Sequence, residues 1–280
     1  MKKYKLSNES IVYNGHTLYR IECINAFGRI KVGDKGGWIE KEDNLDTSGN
    51  AWIYDNAKVY GDAKVLGDAK VFGDACVFGH AWVSGYAKVF GDACVFGHAW
   101  VSGNALVFGY ARVFSNAWIF GNAWIYGNTY VSGHVWVSDD AKVFGDACVF
   151  GHAFVFGNAK VSGNTYVSGD AKVSGNALVF GDAKVSGDAE ITNDCDYMVF
   201  KNNWSSGRYF TWTKSNNMWK VGCFYGTGEE LIKKAYSESE LKGKCYEKVV
   251  NFVKELEEIK NNCQKSVNIW NFLVSSRFFS

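Results

Sequence analysis

Between residues 51 and 191 the chain repeats one six-residue phrase in which a small residue and a branched aliphatic one stand two positions apart. Ala occupies position 51 and every sixth position to 189, interrupted only at Thr129, Val135 and Thr165. Two residues after each of these stands Val or Ile, from Ile53 to Ile191, without exception. Gly opens most units, as at Gly61, Gly67 and Gly73, giving the consensus Gly-[Asp/Asn/His/Tyr]-Ala-x-[Val/Ile]-x over 24 hexads with no insertion. The x positions hold residues such as Lys58, Lys64, Lys70 and Lys88. Strands send alternate side chains to opposite faces, and an unpaired Lys inside is prohibitively costly. Ala and Val/Ile therefore point inward and the x positions outward. The Gly-Asp/Asn/His pair is expected to turn the corner, because these residues tolerate positive φ.

A two-residue strand followed by a two-residue corner cannot form a hairpin meander at this spacing. It can wind a triangular coil of three hexads. The phrase GDACVFGHAWVSG stands at 73–85 and again at 91–103, an offset of 18 residues and thus one coil, with a close variant at 145–157. Eight such coils at the strand spacing make a prism about 38 Å long. The unit Val71-Phe72-Gly73-Asp74-Ala75-Cys76 resembles that of hexapeptide-repeat proteins, except that Phe stands at a position usually small. The resemblance implies a left-handed parallel β-helix, and the hand comes from it alone.

Both ends differ from the repeat. Residues 1–48 contain ESIVYNGHTLYRIECI, which predicts a hairpin about Asn14-Gly15, running through GDKGGWIEKEDNL into the first coil. A β-helix leaves unpaired strand edges that need caps, and this segment is placed to be one. After the repeat block 49–193, the stretches DYMVF, RYFTWTK and MWKVGCF predict strands. TGEELIKKAY and ESELKGKCYEKVVNFVKELEEIKN predict helices, the second with Val249, Phe252, Val253 and Leu256 at helical spacing. The last stretch, SVNIWNFLVSSRFFS, is expected to dock on an exposed aromatic ladder rather than enter a membrane. The expected fold is mainly β: about eight triangular coils of left-handed parallel β-helix, an N-terminal β-hairpin cap and a small C-terminal α+β domain over 194–280.

Composition narrows the function classes. Lys+Arg 30 against Asp+Glu 29 gives no global pull toward nucleic acid or an anionic membrane. Residues 201–280 carry 13 basic against 8 acidic side chains, a bias that reads as a solvated surface. The repeat block holds 12 acids and 9 bases with Lys interspersed, which argues against acidic mimicry of DNA. No apolar run approaches the ~18 residues of a membrane helix, and MKKYKLSNES is not followed by a signal-peptide core. Eight Cys without such a signal are read as thiols in a reducing compartment, so the cytoplasm is expected. The absence of Pro beside 31 Gly suits one long regular array.

Sorting outward positions by 18 displays the faces. One column reads Trp82, Trp100, Trp118, Trp136, Phe154, and the corner before it reads His80, His98, Asn116, His134, His152. A second aromatic column reads Tyr54, Phe72, Phe90, Phe108, Tyr126, Phe144. On the third face Cys76 and Cys94 occupy successive coils beside Phe78, Phe96 and Phe114. Stacked His would offer metal ligands in a line, which suits no tetrahedral cage. The His corners and the Cys pair are therefore read as copied tiles, with no metal, cofactor or catalytic residue expected. Stacked rings stabilise parallel coils by ~0.5–1.5 kcal/mol per contact. A solvated prism with aromatic ladders on three faces is nonetheless expected to bury one of them against a second copy, the C-terminal domain or a partner. The Trp column with its His edge is the candidate partner-binding or oligomer face, the second ladder an alternative, and a dimer or trimer the expected assembly.

Taken together, KYKLSNE, YNGHTLYRIE, GDKGGWIE, the hexads and DYMVF with TKSNNMWKVGCFYGTGEEL resemble a YdcK-like family of hexapeptide-repeat proteins common in phages and prophages. The resemblance covers most of the chain; NNWSSGRYFTW and the tail beyond about residue 262 depart from it. That family carries an acyltransferase label by analogy of fold, which brings no catalytic residue with it. Hexapeptide acyltransferases are typically trimers with a His base between coils and an extruded loop closing over coenzyme A. Here no loop interrupts the hexads, and the His form a repeated row rather than one unique base. The reading therefore leans away from an enzyme. It favours a phage- or prophage-encoded binding module that acts by protein–protein contact on a host factor, a defence inhibitor of anti-CRISPR type being one form. Nucleic acid is not expected as its direct target. The alternatives are a coenzyme A-dependent acyltransferase and a nucleotide-binding or structural phage protein.

Overall fold

The computed structural model describes the backbone of residues 2–276 and the side chains of residues 2–260. The docking expected of the apolar stretch 266–280 lies outside the described side chains. The chain divides into two compact units, Met1–Val199 with Thr211–Asn216 and Phe200–Phe210 with Asn217–Ser280.

The first unit is a parallel β-solenoid. Its three sheets stack two-residue strands eight rungs deep, each rung in register with the residue 18 positions on. One face carries Lys64, Trp82, Trp100, Trp118, Trp136, Phe154, Lys172 and Glu190 (the Trp face). The next carries Trp52, Lys70, Lys88, Leu106, Trp124, Lys142, Lys160 and Leu178 (the Lys face), and the third runs from Lys58 through Cys76 and Cys94 to Lys184 (the Cys face). Every Ala and every Val or Ile of the repeat is buried, as alternation requires. A middle hexad gives three amides to the following coil: His98 N to Ser115 O at 2.8 Å, Trp100 N to Ala117 O at 2.9 Å and Ser102 N to Ile119 O at 2.8 Å.

The corners differ from expectation in one respect. Only the first residue of each corner pair takes positive φ, near 70° at the glycines. No His does, so left-handed tolerance does not explain the His column. Where Gly is missing, Asp55, Ser115 and Asp139 hold that position at φ 51°, 62° and 58°. Asp55 and Asp139 use their carboxylates to accept the amides of Gly73 and Gly157 at 3.2 and 3.0 Å.

Coiling begins before the hexads do. Strands β1 (Tyr4–Tyr13) and β2 (His16–Cys23) form the hairpin about Asn14-Gly15, and β2 pairs antiparallel with β3 (Lys35–Ile39). On its other edge β3 pairs parallel, Trp38 with Lys58 and Ile39 with Val59. Leu45 bridges Val65 in the same sense. Ile39 and Leu45 are buried and supply inward positions of a partial ninth turn. Tyr4 ties this turn down by donating its hydroxyl to Glu42 O at 2.7 Å and Leu45 O at 2.9 Å. The buried Asn44 donates to Gly61 O and Ala63 O. Trp52, an outward position, is buried here between Tyr4 and Phe27.

At the far end the last rung of each face has no following coil, and side chains accept its amides instead. Leu178 N donates to Asp194 Oδ1 at 2.8 Å, Lys184 N to Thr211 Oγ1 at 2.9 Å and Glu190 N to Ser215 Oγ at 2.7 Å. This is edge protection by capping side chains, one on each face.

In the second unit, strands Met218–Val221 and Phe224–Gly226 form an antiparallel hairpin. Helix α1 (Gly228–Glu238) starts at Thr227, whose hydroxyl accepts Glu230 N while Glu230 accepts Thr227 N, a capping box. Among the described residues of α2 (Glu240–Ser276), Gly243, Tyr246, Val250 and Val253 are buried, with Tyr246 edge-on to Phe210 at 4.7 Å. Phe252 and Leu256, expected on the apolar stripe, are exposed. Among the described residues no helix is long and apolar enough to cross a membrane.

Candidate functional site

The Trp column is built by register. Each Trp stands between a buried Ala (Val135 in the case of Trp136) and a buried Val/Ile two residues apart, which fix the rung, so Trp82, Trp100, Trp118 and Trp136 fall in one line. Their exposures are 42%, 37%, 40% and 40%, while Phe154 at the end of the line is half-buried. The rings meet edge to face at 6.0 and 5.5 Å in the upper two steps, stack at 5.3 Å between Trp118 and Trp136, and tilt by 58° at Phe154. Trp100 Nε1 donates to Ser84 Oγ at 3.0 Å, and the Lys64 ammonium lies 5.8 Å from the Trp82 ring centroid.

Beside this column the His form two stacked pairs, His80 with His98 at 4.8 Å and His134 with His152 at 5.0 Å, with Asn116 between the pairs in sequence register. His80 Nδ1 lies 3.5 Å from Asp62, which also receives Lys41 at 2.6 Å. Among the described residues no group of His, Cys, Asp or Glu is arranged to hold a metal ion.

The second ladder has a different geometry. Phe72, Phe90, Phe108, Tyr126 and Phe144 stack at 4.7 to 5.0 Å with planes within 3°, and Tyr54 meets Phe72 edge on at 6.4 Å. All six rings are half-buried, so this ladder covers itself where the Trp column does not.

Two further groupings bring cap residues onto the solenoid faces. On the Cys face, Cys76 is buried, in register with Cys94, and its sulfur is 3.7 Å from the Tyr13 hydroxyl. Hydrogen bonding with the Cys94 thiol pulls Cys76 down to about 6; burial opposes this, and Tyr13 and the Lys58 charge assist. The same contact pushes Cys94 up. Tyr13 is pushed up to about 12, first by its hydrogen bond to Cys76. The sequence placed the two thiols together but had no sign of Tyr13, which the cap hairpin brings from 63 residues away.

The second grouping is an open groove of about 680 Å³ between the Lys face and the cap turn Phe27–Ile30. Phe27 and Ile30 close that turn through paired backbone hydrogen bonds of 3.1 and 2.8 Å, which presents Arg29 at its tip. Arg29, Lys70 and Lys88 line the groove with Tyr54 and Tyr86. Its one carboxylate, Asp68, is occupied by the Asn50 amide and side chain at 2.9 and 2.7 Å.

No family model matches the chain. It is similar to a protein of Escherichia coli (strain K12) described as "Uncharacterized acetyltransferase YdcK", at 36% identity over 63 residues. These residues are 20% of this chain and 19% of that protein, so the chain spans about a fifth of the length of the curated relative it matches. The similarity and the stacked coils agree on a hexapeptide-repeat β-helix.

Proposed function

We propose that this chain is a rigid, non-catalytic scaffold that engages a protein partner through the Trp column. The observation that carries this is the line of four Trp on successive rungs, each about two-fifths exposed. The interior is already filled by Ala and Val/Ile, so these rings add nothing to the core. Contiguous exposed aromatics are the composition of binding hot spots rather than of solvated surface. Their positions are held by the ladder, so little freedom is lost on association. A host defence factor is the partner class that the phage-type family resemblance favours, and a second copy of this chain is the first competitor.

The test pairs light scattering of purified protein with affinity capture from bacterial lysate, for wild type and for the Trp100→Ala, Trp118→Ala double variant. A stoichiometric foreign protein held by wild type and lost in the folded double variant supports the reading. Capture that survives the double variant overturns it, and recovery of the protein's own oligomer alone reassigns the column to self-association.

The second reading is acyl transfer with coenzyme A, favoured by the description of the Escherichia coli relative as an acetyltransferase. Against it stand the paired, exposed His80/His98 and His134/His152, which offer no single positioned base. On the binding reading, acetyl-coenzyme A incubated with the protein and primary amines is not consumed. Turnover would replace that reading with the enzymatic one.

A further inference from the structure

We infer that the groove under the cap turn is a binding site for a nucleoside phosphate. Lys70 and Lys88 face each other on adjacent rungs of the Lys face. Like charges directly opposite on neighbouring strands are unfavourable. Among the described residues neither Lys70 nor Lys88 pairs with a carboxylate, and neither does Arg29 across the groove. Lys142 and Lys160 also lie in register further along the same face. There Lys142 rests 4.4 Å over the Trp124 ring, and no cap turn encloses the pair.

Three cations thus line one open groove whose single carboxylate is already bonded to Asn50. An anion with several oxygens is the complement, because it can meet an Arg fork and two ammonium groups at once. The rest of the lining selects further. Phe27, Tyr54 and Tyr86 also line the groove, and Tyr86 is 65% exposed. A flat heterocycle can stack on such rings. The Arg29 charge acts on the Tyr54 hydroxyl, whose pKa is pushed up chiefly by burial, so cation and ring share one neighbourhood. A volume of about 680 Å³ is in the range of small-ligand sites, ~300–1,000 Å³. The site is separate from the Trp face and does not depend on the function proposed for it.

The test is calorimetric titration of the full chain with ADP, inorganic phosphate, adenosine and coenzyme A. The expected result is that ADP binds at least tenfold tighter than either phosphate or adenosine. The Lys70→Glu, Lys88→Glu variant should weaken ADP at least tenfold without lowering the melting temperature, Tyr86→Ala should weaken it severalfold, and Lys160→Glu should leave it unchanged. No ADP binding at millimolar concentration would overturn the inference, as would equal loss in Lys160→Glu. Phosphate binding as tightly as ADP would remove the ring from the recognition. Coenzyme A carries an ADP moiety, so its binding tenfold tighter than ADP would support the inference and narrow the nucleotide to an acyl carrier.

Discussion

Trp118 and Trp136, partners on adjacent rungs, stack with 5.3 Å between ring centroids and 4° between planes. Trp136 also meets Phe120 edge on at 6.2 Å and Phe154 at 5.4 Å, whereas Trp82 touches one ring, Trp100. At about 0.5–1.5 kcal/mol per ring contact, Trp136→Ala should lower stability by ~2 kcal/mol and Trp82→Ala by ~1 kcal/mol. Urea denaturation of the two variants measures the difference. A larger loss at Trp82 would mean that the Lys64 contact, not ring stacking, holds the column.

The corner glycines have two separable reasons for being glycine. Gly103 takes φ +67°, and a Cβ there would sit 2.9 Å from the backbone of Gly121 on the next coil. Gly181 takes φ +74° with nothing within 4 Å. Gly181→Ala should therefore cost only the left-handed penalty, ~1–2 kcal/mol, while Gly103→Ala adds a backbone clash and costs more. Thermal melts of both variants decide whether coil contact or dihedral strain selects Gly in this repeat.

The last coil is closed by side chains rather than by backbone, two of its three faces by hydroxyls. Replacing Thr211 and Ser215 with Val and Ala leaves the amides of Lys184 and Glu190 without their acceptors. Each open pair should cost about 1 kcal/mol. Hydrogen exchange at Lys184 and Glu190 should accelerate while exchange at Trp100 stays slow, and the exposed edge should raise self-association. Uniform acceleration along the solenoid would show instead that the coils open as one unit.

The coils were legible because buried Ala and Val/Ile keep one spacing for 24 hexads. Ile39 and Leu45 keep the same step of six, but no Gly-Asx-Ala precedes them and the count slips before Ile53, so the partial first turn was hidden. The His corners were misread because composition cannot say which residue of the pair takes the left-handed conformation, and Gly takes it. On α2, spacing admitted more than one apolar stripe, and contact with Phe210 chose Tyr246. The groove was out of reach for another reason. Lys70 and Lys88 share a column that 18-residue sorting can place, but Arg29 joins them only through the fold of the cap turn.

Thr129 and Thr165 stand in the Ala column, fully buried, with hydroxyls that have no hydrogen-bond partner. An unpaired buried hydroxyl costs about 1–3 kcal/mol. The space already accepts a branched side chain, as the buried Val135 of the same column shows. Thr129→Val and Thr165→Val should therefore each stabilise the solenoid by ~1 kcal/mol and raise its melting temperature. A fall would mean that the hydroxyl is bonded to a buried water.

Cys76 and Cys94 give the fold a pH dependence with a definite shape. The folded value of Cys76 is drawn down to about 6 by the Cys94 thiol, with help from Tyr13 and Lys58. In the unfolded chain both thiols titrate near ~8.5. Between these values the unfolded chain holds a proton on Cys76 that the folded chain has released, so stability rises with pH from about 6 to ~8.5. Cys94 is pushed up in the fold, so above ~8.5 the folded chain is the one that keeps its proton, and the gain reverses. Denaturation midpoints compared between wild type and the Cys76→Ala, Cys94→Ala variant should differ by a curve that climbs, peaks in mild alkali and falls. A Lys58→Met variant should move the lower limb to higher pH. A flat difference would mean that both thiols titrate in the fold as they do in the unfolded chain.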